Sequence, residues 1–205
     1  MPLLDYMQAK KLLDRYGIKS VESVYVSSAE EAVRFSKGKK IVLKLVSDKA
    51  LHKSKAGLVK LGLESEKEIS TTYNELVRKG KKLRPYKILA QKMAVGGVEI
   101  IIGGSTDKQF GKMLLVGLGG IYVETFKDVQ LRLCPITRGD ALQMLSELQS
   151  GKVITYGGKA TERVVSLLLK VSKLLVNNKR INELDLNPVI VRADSYDVVD
   201  IRMLV

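Results

Sequence analysis

The sequence predicts an α+β fold made of two lobes. Helical patterns alternate with short apolar strands up to Pro85, several β-like runs follow it, and the chain ends in a strand hairpin. We place the lobe junction near Ala90. Residues 1–90 then form the N-terminal lobe with its leading helix, and residues 91–205 form the C-terminal lobe with the hairpin. A chain of 205 residues is long enough for two such lobes.

In the N-terminal lobe, apolar spacing and capping sequences locate the elements. The first helix is predicted to end at Gly17, as a C′ glycine would end it. Two capping-box sequences predict the starts of later helices: Ser28-Ala29-Glu30-Glu31 and Ser65-Glu66-Lys67-Glu68. The predicted helices cover residues 4–16, 28–35 and 65–80, and the predicted strands cover residues 18–26, 41–46 and 58–63.

The C-terminal lobe is predicted to be a sheet followed by helices and the final hairpin. Its predicted strands cover residues 87–93, 98–102, 113–118 and 129–133, and its predicted helices cover residues 138–148 and 161–175. The glycines of residues 151–158 predict a mobile loop there.

The final hairpin carries a candidate metal site. Apolar and polar residues alternate over residues 183–191, so Asp185 and Asn187 point to one face of a strand. With residues 193 and 194 at the tip, antiparallel counting sets Asn187 opposite Asp200. Such oxygen ligands suit Mg²⁺, which leaves the rest of its shell to water and phosphates. The pairing suggests a nucleotide-phosphate site, and an edge hairpin with a solvated face is the alternative.

Lys44 and His52 are candidates for contacts with phosphate. Lys44 interrupts the apolar strand 41–46, and because an unpaired ammonium is costly to bury, it is predicted to face a cleft and an anion. His52 lies in the basic loop 47–57, where it could bind phosphate or accept it on a ring nitrogen. The alternatives are a lysine on the solvent face and a solvated loop histidine.

Two glutamates and a glycine turn give weaker signals. Glu99 interrupts an apolar strand and Glu124 follows the turn of residues 117–120. Each could bond a ribose hydroxyl or orient a metal, and each could instead point outward. The turn matches neither a Walker A loop nor the dinucleotide fingerprint. Its glycines could let the backbone approach a ligand closely, and a tight turn without a ligand is the alternative.

The net charge of +13 is concentrated in residues 1–112, which hold 23 basic and 12 acidic residues. Such an excess suits a nucleic acid, an anionic small molecule or an acidic protein. The basic run 78–84 has no interleaved aromatic residues, so a stacking platform for single strands is not evident. Cys134 is the only cysteine and no apolar run reaches the ~20 residues of a membrane helix, so we predict a cytoplasmic protein without a membrane partner.

Taken together, these residues make the chain resemble the ATP-grasp family. The resemblance is closest to the β subunit of NDP-forming acyl-CoA synthetases, also called ADP-forming acetyl-CoA synthetases, and covers nearly the whole length. It depends on the following motifs in this order: Tyr16-Gly17-Ile18, Val42-Leu43-Lys44, Leu51-His52-Lys53-Ser54, Gly97-Val98-Glu99-Ile100-Ile101-Ile102-Gly103, Phe110-Gly111, Gly117-Leu118-Gly119-Gly120-Ile121-Tyr122-Val123-Glu124, Lys127-Asp128-Val129, Arg132, and Glu183-Leu184-Asp185-Leu186-Asn187-Pro188-Val189.

The resemblance implies an ATP-grasp fold with the nucleotide between two lobes. Lys44 would hold the α and β phosphates, and Glu99 would lie near the ribose. Asn187 and Asp200 would hold Mg²⁺, with Asp185 as a further metal-site residue. The implied nucleotide contacts also include a set of residues spread along the chain: Lys53, Ser54, Gln91, Met93 and Arg132.

The implied reaction is acyl-CoA + ADP + phosphate ⇌ carboxylic acid + CoA + ATP, with ATP/ADP and Mg²⁺ as cofactors. His52 matches the histidine thought to relay phosphate between the nucleotide and a phosphohistidine on a partner α subunit. That CoA-binding α subunit, in an α2β2 assembly, would be required for turnover. The alternatives are another ATP-grasp carboxylate ligase, which would need no relay histidine, and a non-catalytic ATP-sensing or basic nucleic-acid-binding module. A nucleic acid is not the expected partner.

The chain departs from the family pattern at two places. Where the family has an acid and a glycine pair after His-Lys-Ser, this chain has Lys55-Ala56-Gly57, which adds a charge and stiffens the loop. At the lobe junction, Lys92 stands where the family has the acid of Gln-Glu-Met, so a purine or ribose contact by that side chain is not expected, whereas backbone contacts there would survive.

Overall fold

A computed structural model describes residues 2–47, 57–120 and 128–205 of the protein. Within these ranges the helices are α1 (Tyr6–Arg15), α2 (Ala29–Ser36), α3 (Glu66–Gly80), α4 (Arg138–Glu147), α5 (Gly151–Ile154) and α6 (Thr161–Asn177). The strands are β1 (Ser23–Val26), β2 (Ile41–Val46), β3 (Val59–Leu63), β4 (Lys87–Lys92), β5 (Val98–Asp107), β6 (Gly111–Leu118), β7 (Val129–Leu133), β8 (Glu183–Val191), β9 (Tyr196–Val198) and β10 (Ile201–Leu204). None of these described helices is long and apolar enough to cross a bilayer.

The chain divides into two compact units. The smaller unit is Val21–Met93, and the larger unit joins Met1–Ser20 to Ala94–Val205. This division differs from the predicted lobes of residues 1–90 and 91–205, because the leading helix belongs with the C-terminal part. The segment before α1 pairs with the last strand, where the Leu4 amide donates to the Met203 carbonyl at 2.8 Å. A pairing between the two ends of a chain leaves no local sequence pattern.

The smaller unit is an antiparallel sheet of four strands in the order β1-β4-β2-β3, with α2 and α3 packed on one face. Its core comes from alternate residues of the central strands and from the facing sides of the helices: Ile41, Leu43, Leu45, Ile88, Ala90, Ala32, Ile69 and Leu76. The predicted capping box of α3 is confirmed. The Ser65 hydroxyl accepts from the Glu68 amide at 3.2 Å, and the Glu68 carboxylate accepts from the Ser65 amide at 3.0 Å.

The larger unit contains a sheet in the order β10-β8-β5-β6-β7, with β9 paired to β8. Helices α4 and α6 pack on one face. Gly104 lies on that face and permits close packing, because a Cβ there would lie 2.7 Å from the Leu175 side chain of α6. The opposite face carries Gly103, Leu115 and Asp185, and we call it the pocket face.

Most predicted elements are confirmed to within a few residues, and three differ. Strand β1 covers only Ser23–Val26, and β5 continues through two glycines to Asp107. Residues 151–158, predicted to be a mobile loop, instead include the helical turn α5. Ile154 in this turn is fully buried, and a Cβ on Gly151 would lie 2.0 Å from the Leu145 carbonyl oxygen.

Candidate functional site

The terminal hairpin has the predicted register. The paired residues are Val191 with Tyr196, Ile190 with Asp197, Val189 with Val198, Leu186 with Ile201, and Asp185 with Arg202. Between these pairs the Asn187 amide donates to the Asp200 carbonyl at 3.3 Å. Leu184 and Leu186 are buried, whereas Asp185 and Asn187 are exposed. Both the register and the assignment of the two faces are therefore confirmed.

Asp185 lies in surroundings that favour a nearby cation. Although the residue is exposed, desolvation by surrounding protein atoms raises the pKa of its carboxyl group, and the negative charge of Asp200 raises it further. The Arg202 guanidinium, on the residue directly across the strand pair, acts in the opposite direction. A divalent cation would neutralise the two acids, and two carboxylates with the Asn187 carboxamide fit the oxygen preference of Mg²⁺.

The described ranges contain no group of three or more His, Cys, Asp or Glu side chains placed to hold a metal. The hairpin set differs from such a group because one of its three members is an asparagine. Mg²⁺ commonly uses only one or two carboxylates and keeps several waters. The residues present therefore fit Mg²⁺ better than a metal that needs a cage made wholly of protein ligands.

A pocket of about 320 Å³ opens on the pocket face beside the hairpin. Its wall combines apolar and charged residues, among them Gly103, Met113, Leu115, Leu131, Asp185 and Arg202. Glu99 lies on the same face, because side chains alternate along β5 and Glu99 is four residues from Gly103. Sequence reasoning missed Arg202, although the hairpin counting that pairs Asn187 with Asp200 also pairs Asp185 with Arg202.

In the smaller unit, Lys44 and Gln91 lie on the sheet face opposite α2 and α3. Lys44 alternates with core residues of β2 and is only 5% exposed, which excludes the alternative of a lysine on the solvent face. Gln91 is paired with Val42 in the neighbouring strand, is 1% exposed, and donates to the Ser23 hydroxyl at 3.0 Å. The structure thus places these two predicted nucleotide contacts on one sheet face. Lys44 is two positions along β2 from Val42, the residue that pairs with Gln91.

Lys92 caps the C-terminal end of α2. Its ammonium donates to the carbonyl oxygens of Phe35, at 2.5 Å, and Ser36, at 2.8 Å, and lies 4.7 Å from the centre of the Phe35 ring. Burial is the main cause that lowers the pKa of this ammonium. The last carbonyls of a helix attract a cation. The base at this position is therefore explained by helix capping.

We expect Lys92→Met to destabilise the protein by about 1–2 kcal/mol, because two charge-assisted hydrogen bonds to α2 are lost. This corresponds to a fall of roughly 2–8 °C in melting temperature for a chain of this size, measurable by calorimetry. Lys39→Met is the matched control, since Lys39 is exposed and is close enough for its positive charge to lower the pKa of the Lys92 ammonium. Equal melting temperatures for the two variants would contradict the capping role.

Glu99 and Met93 are held chiefly by their backbones. The Glu99 carbonyl accepts from the Gly119 amide at 2.7 Å, and a Cβ on Gly119 would lie 2.9 Å from the Glu99 carbonyl carbon. The glycine is thus required for close approach to β5, which supports the tight-turn interpretation of residues 117–120. Met93 is half-buried, and its amide donates to the Lys40 carbonyl at 3.1 Å.

Arg132 lies on the helix face of the larger sheet. It alternates with Leu131 of the pocket face, and its guanidinium pairs with Glu147 of α4 at 2.5 Å. The same ion pair is the main cause that lowers the pKa of Glu147. The structure therefore does not bring Arg132 together with Asp185 and the hairpin, and its nucleotide contact stays a prediction.

Several predicted residues lie outside the described ranges: His52, Lys53, Ser54, Lys55, Ala56 and Glu124. The residues that flank the basic loop are described. The Ser47 hydroxyl donates to the Leu83 carbonyl at 2.6 Å. The Lys79 ammonium donates to the Gly57 carbonyl at 3.2 Å and pairs with Glu75 at 2.9 Å. Both flanks are thus fixed to α3 or to the turn that follows it.

Residues 2–205 match the model of the ATP-grasp domain, and the chain belongs to this family. It is 35% identical over 207 residues to the acetate-CoA ligase (ADP-forming) I subunit beta of Pyrococcus furiosus, which covers 96% of this chain and 89% of that protein. The predicted resemblance to the β subunits of ADP-forming acyl-CoA synthetases is confirmed.

Solved structures agree in fold. One is the dinucleotide forming acetyl-coenzyme A synthetase 1 of Ca. Korarchaeum cryptofilum with coenzyme A and Ca-AMPCP. It has a TM-score of 0.90 and 38% identity, and covers 99% of this chain and 93% of that chain. A complex of the same enzyme with coenzyme A and Mg-AMPPCP, its phosphohistidine segment pointing towards the nucleotide binding site, has a TM-score of 0.85 and 37% identity. It covers 99% of this chain and 92% of that chain. The predicted ATP-grasp fold is confirmed.

Proposed function

We propose that this chain is the nucleotide-binding β subunit of an ADP-forming acyl-CoA synthetase. The reaction is acyl-CoA + ADP + phosphate ⇌ carboxylic acid + CoA + ATP. The observation that carries the proposal is the similarity, over 96% of this chain, to a protein named as such a β subunit. The Mg-AMPPCP complex of the related Korarchaeum enzyme supports the nucleotide and the metal as ligands of this chain as well.

The proposed roles follow from what phosphoryl transfer requires, which is positioning of the phosphate and cations around its oxygens. Lys44, whose burial limits screening by water, holds phosphate oxygens together with Lys53 and Ser54. Asn187 and Asp200 hold Mg²⁺, beside Asp185. The bound ion would neutralise charge on the phosphate oxygens. Gln91, Met93 and Glu99 contact the nucleoside part.

His52 is the proposed phosphoryl carrier. One imidazole nitrogen attacks the terminal phosphorus of ATP, the nitrogen–phosphorus bond forms, and the bond from phosphorus to the oxygen of the leaving ADP breaks. The phosphoryl group then passes to the phosphohistidine segment of the partner, and the reverse sequence makes ATP. A histidine suits this role because its neutral ring is nucleophilic near neutral pH.

The partner in this proposal is a CoA-binding α subunit, since a related protein is named as one of two subunit types. An α2β2 assembly and a cytoplasmic location are further parts of the proposal. Because CoA binding is assigned to the partner, this chain alone is not expected to turn over acyl-CoA.

Mg-ADP is expected to stabilise the isolated chain. A ligand that binds only the native state at 100 times its Kd adds about 2.7 kcal/mol, which corresponds to roughly 5–10 °C in melting temperature. The measurement is a thermal melt with millimolar ADP in Mg²⁺, with EDTA as the control. No rise with Mg-ADP, together with salt-sensitive binding to random DNA, would favour a nucleic-acid binder instead.

A further inference from the structure

Phe110 is a motif residue that the proposed function leaves without a role. It is the last residue of the short loop between β5 and β6, whose end residues Asp107 and Gly111 are paired. Its side chain is 61% exposed. One exposed apolar residue is ordinary on a protein surface. Phe110 is distinguished by the way its loop is held and by the charged residues that adjoin it.

The loop is held in one conformation by its own hydrogen bonds. The Asp107 carboxylate accepts from the amides of Gln109, at 2.7 Å, and Phe110, at 2.8 Å. Gly111 follows with a φ of 85°, in the left-handed region that favours glycine. Since this backbone is already ordered, burying the Phe110 ring against a partner would require little loss of conformational entropy.

The base of this hairpin is fixed to a basic segment. The Thr106 amide donates to the Asn182 carbonyl at 2.9 Å, and the Lys112 ammonium donates to the Lys179 carbonyl at 3.2 Å. Exposed cationic residues lie in the loop itself, at Lys108, and in the segment bonded to the base of the hairpin, at Lys179 and Arg180. Two acids adjoin the same segments: Asp107, whose carboxylate accepts from the loop amides, and the exposed Glu183. We call Lys108, Phe110, Lys179 and Arg180 the aromatic tip.

We propose that the aromatic tip docks onto the CoA-binding α subunit, with Phe110 entering an apolar pocket that is rimmed by acidic side chains. This inference rests on the proposed function, which supplies the α subunit.

Charge complementarity selects the partner. In a pair of copies of this chain, two basic tips on proteins of net charge +13 would repel each other. A partner with an acidic rim would instead attract the tip. One aromatic residue is too few for a base-stacking platform. An aromatic anchor with a polar rim is the usual form of a binding hot spot.

The test compares Phe110→Ala with Leu61→Ala in binding to the cognate α subunit. That subunit is identified as the polypeptide that restores acyl-CoA turnover to the wild-type chain. Leu61 is the matched control because it is 66% exposed and lies on β3, in the other unit. Calorimetric titration is expected to give at least about tenfold weaker binding for Phe110→Ala and less than twofold change for Leu61→Ala. Both variants should keep the wild-type melting temperature and its rise with Mg-ADP.

The outcomes separate the two proposals. Affinity within twofold of wild type for Phe110→Ala, with the Mg-ADP response intact, would overturn the docking surface and leave the proposed function. A wild-type chain that binds neither Mg-ADP nor any α subunit would overturn both. Loss of self-association in Phe110→Ala would assign the tip to a second copy, and loss of binding to single-stranded DNA would assign it to nucleic acid. Either result overturns docking onto the α subunit.

Weaker binding of Arg180→Glu to the α subunit, most marked at low salt, would support the acidic rim.

Discussion

His52→Ala is expected to reduce acyl-CoA turnover of the chain with its α subunit by on the order of 10³-fold or more. The physical reason is that alanine has no atom to carry the phosphoryl group, so the proposed relay loses a covalent step. Nucleotide binding should be nearly unaffected, because the phosphate is also held by Lys44, Lys53 and Mg²⁺ in this proposal. The measurements are steady-state turnover with acetyl-CoA, ADP and phosphate, and a thermal melt with Mg-ADP.

The composition of the chain makes this experiment unusually direct. His52 is its only histidine, so any phosphohistidine on this chain is at residue 52. Labelled γ-phosphate from ATP should appear on the wild-type chain and not on His52→Ala. An active variant would contradict the relay. An inactive variant that has also lost its Mg-ADP response would show a binding role instead.

Local patterns predicted the hairpin and most elements correctly. Alternation along one strand and a counted tip were sufficient to set Asn187 opposite Asp200, because antiparallel register is fixed once the turn is known. The capping box of α3 is equally local. In each case the residues that interact are either a few positions apart or connected by one turn, so the sequence contains the whole relationship.

Long-range relationships were not predictable in this way. The leading helix joins the larger unit through pairing with the last strand, and Arg132 is directed to Glu147 by the face of β7 that α4 covers. Lys92 departs from the family pattern for a reason that lies in α2, more than fifty positions away in the chain. Glycine also misled the prediction for residues 151–158, because Gly151 is required there by tight packing rather than by mobility.

Asp200→Asn is expected to remove most of the stabilisation that Mg-ADP gives while leaving the protein folded. Without ligand the variant should be as stable as wild type, or more stable by a few tenths of a kcal/mol, because the charge that raises the pKa of Asp185 is gone. The asparagine can still accept the hydrogen bond that the Ile201 amide donates at 3.2 Å. In Mg²⁺, nucleotide affinity should fall at least about tenfold, equivalent to ~1.4 kcal/mol.

Asp197→Asn is the matched control for Asp200→Asn, because it removes a carboxylate from the same hairpin. Asp197 pairs with Lys19 at 3.4 Å and with Arg192 at 2.9 Å, so its loss should lower stability and leave the response to Mg²⁺ intact. The two variants are compared by thermal melts with ADP in Mg²⁺ and in EDTA. If Asp200→Asn weakened ADP binding equally in both buffers, the carboxylate would be acting on the fold or the nucleotide and not through the metal. We expect lower ligand-free stability for Asp197→Asn and loss of the magnesium dependence of ADP binding for Asp200→Asn. This result would identify Asp197 as a structural acid of the hairpin and Asp200 as a metal ligand.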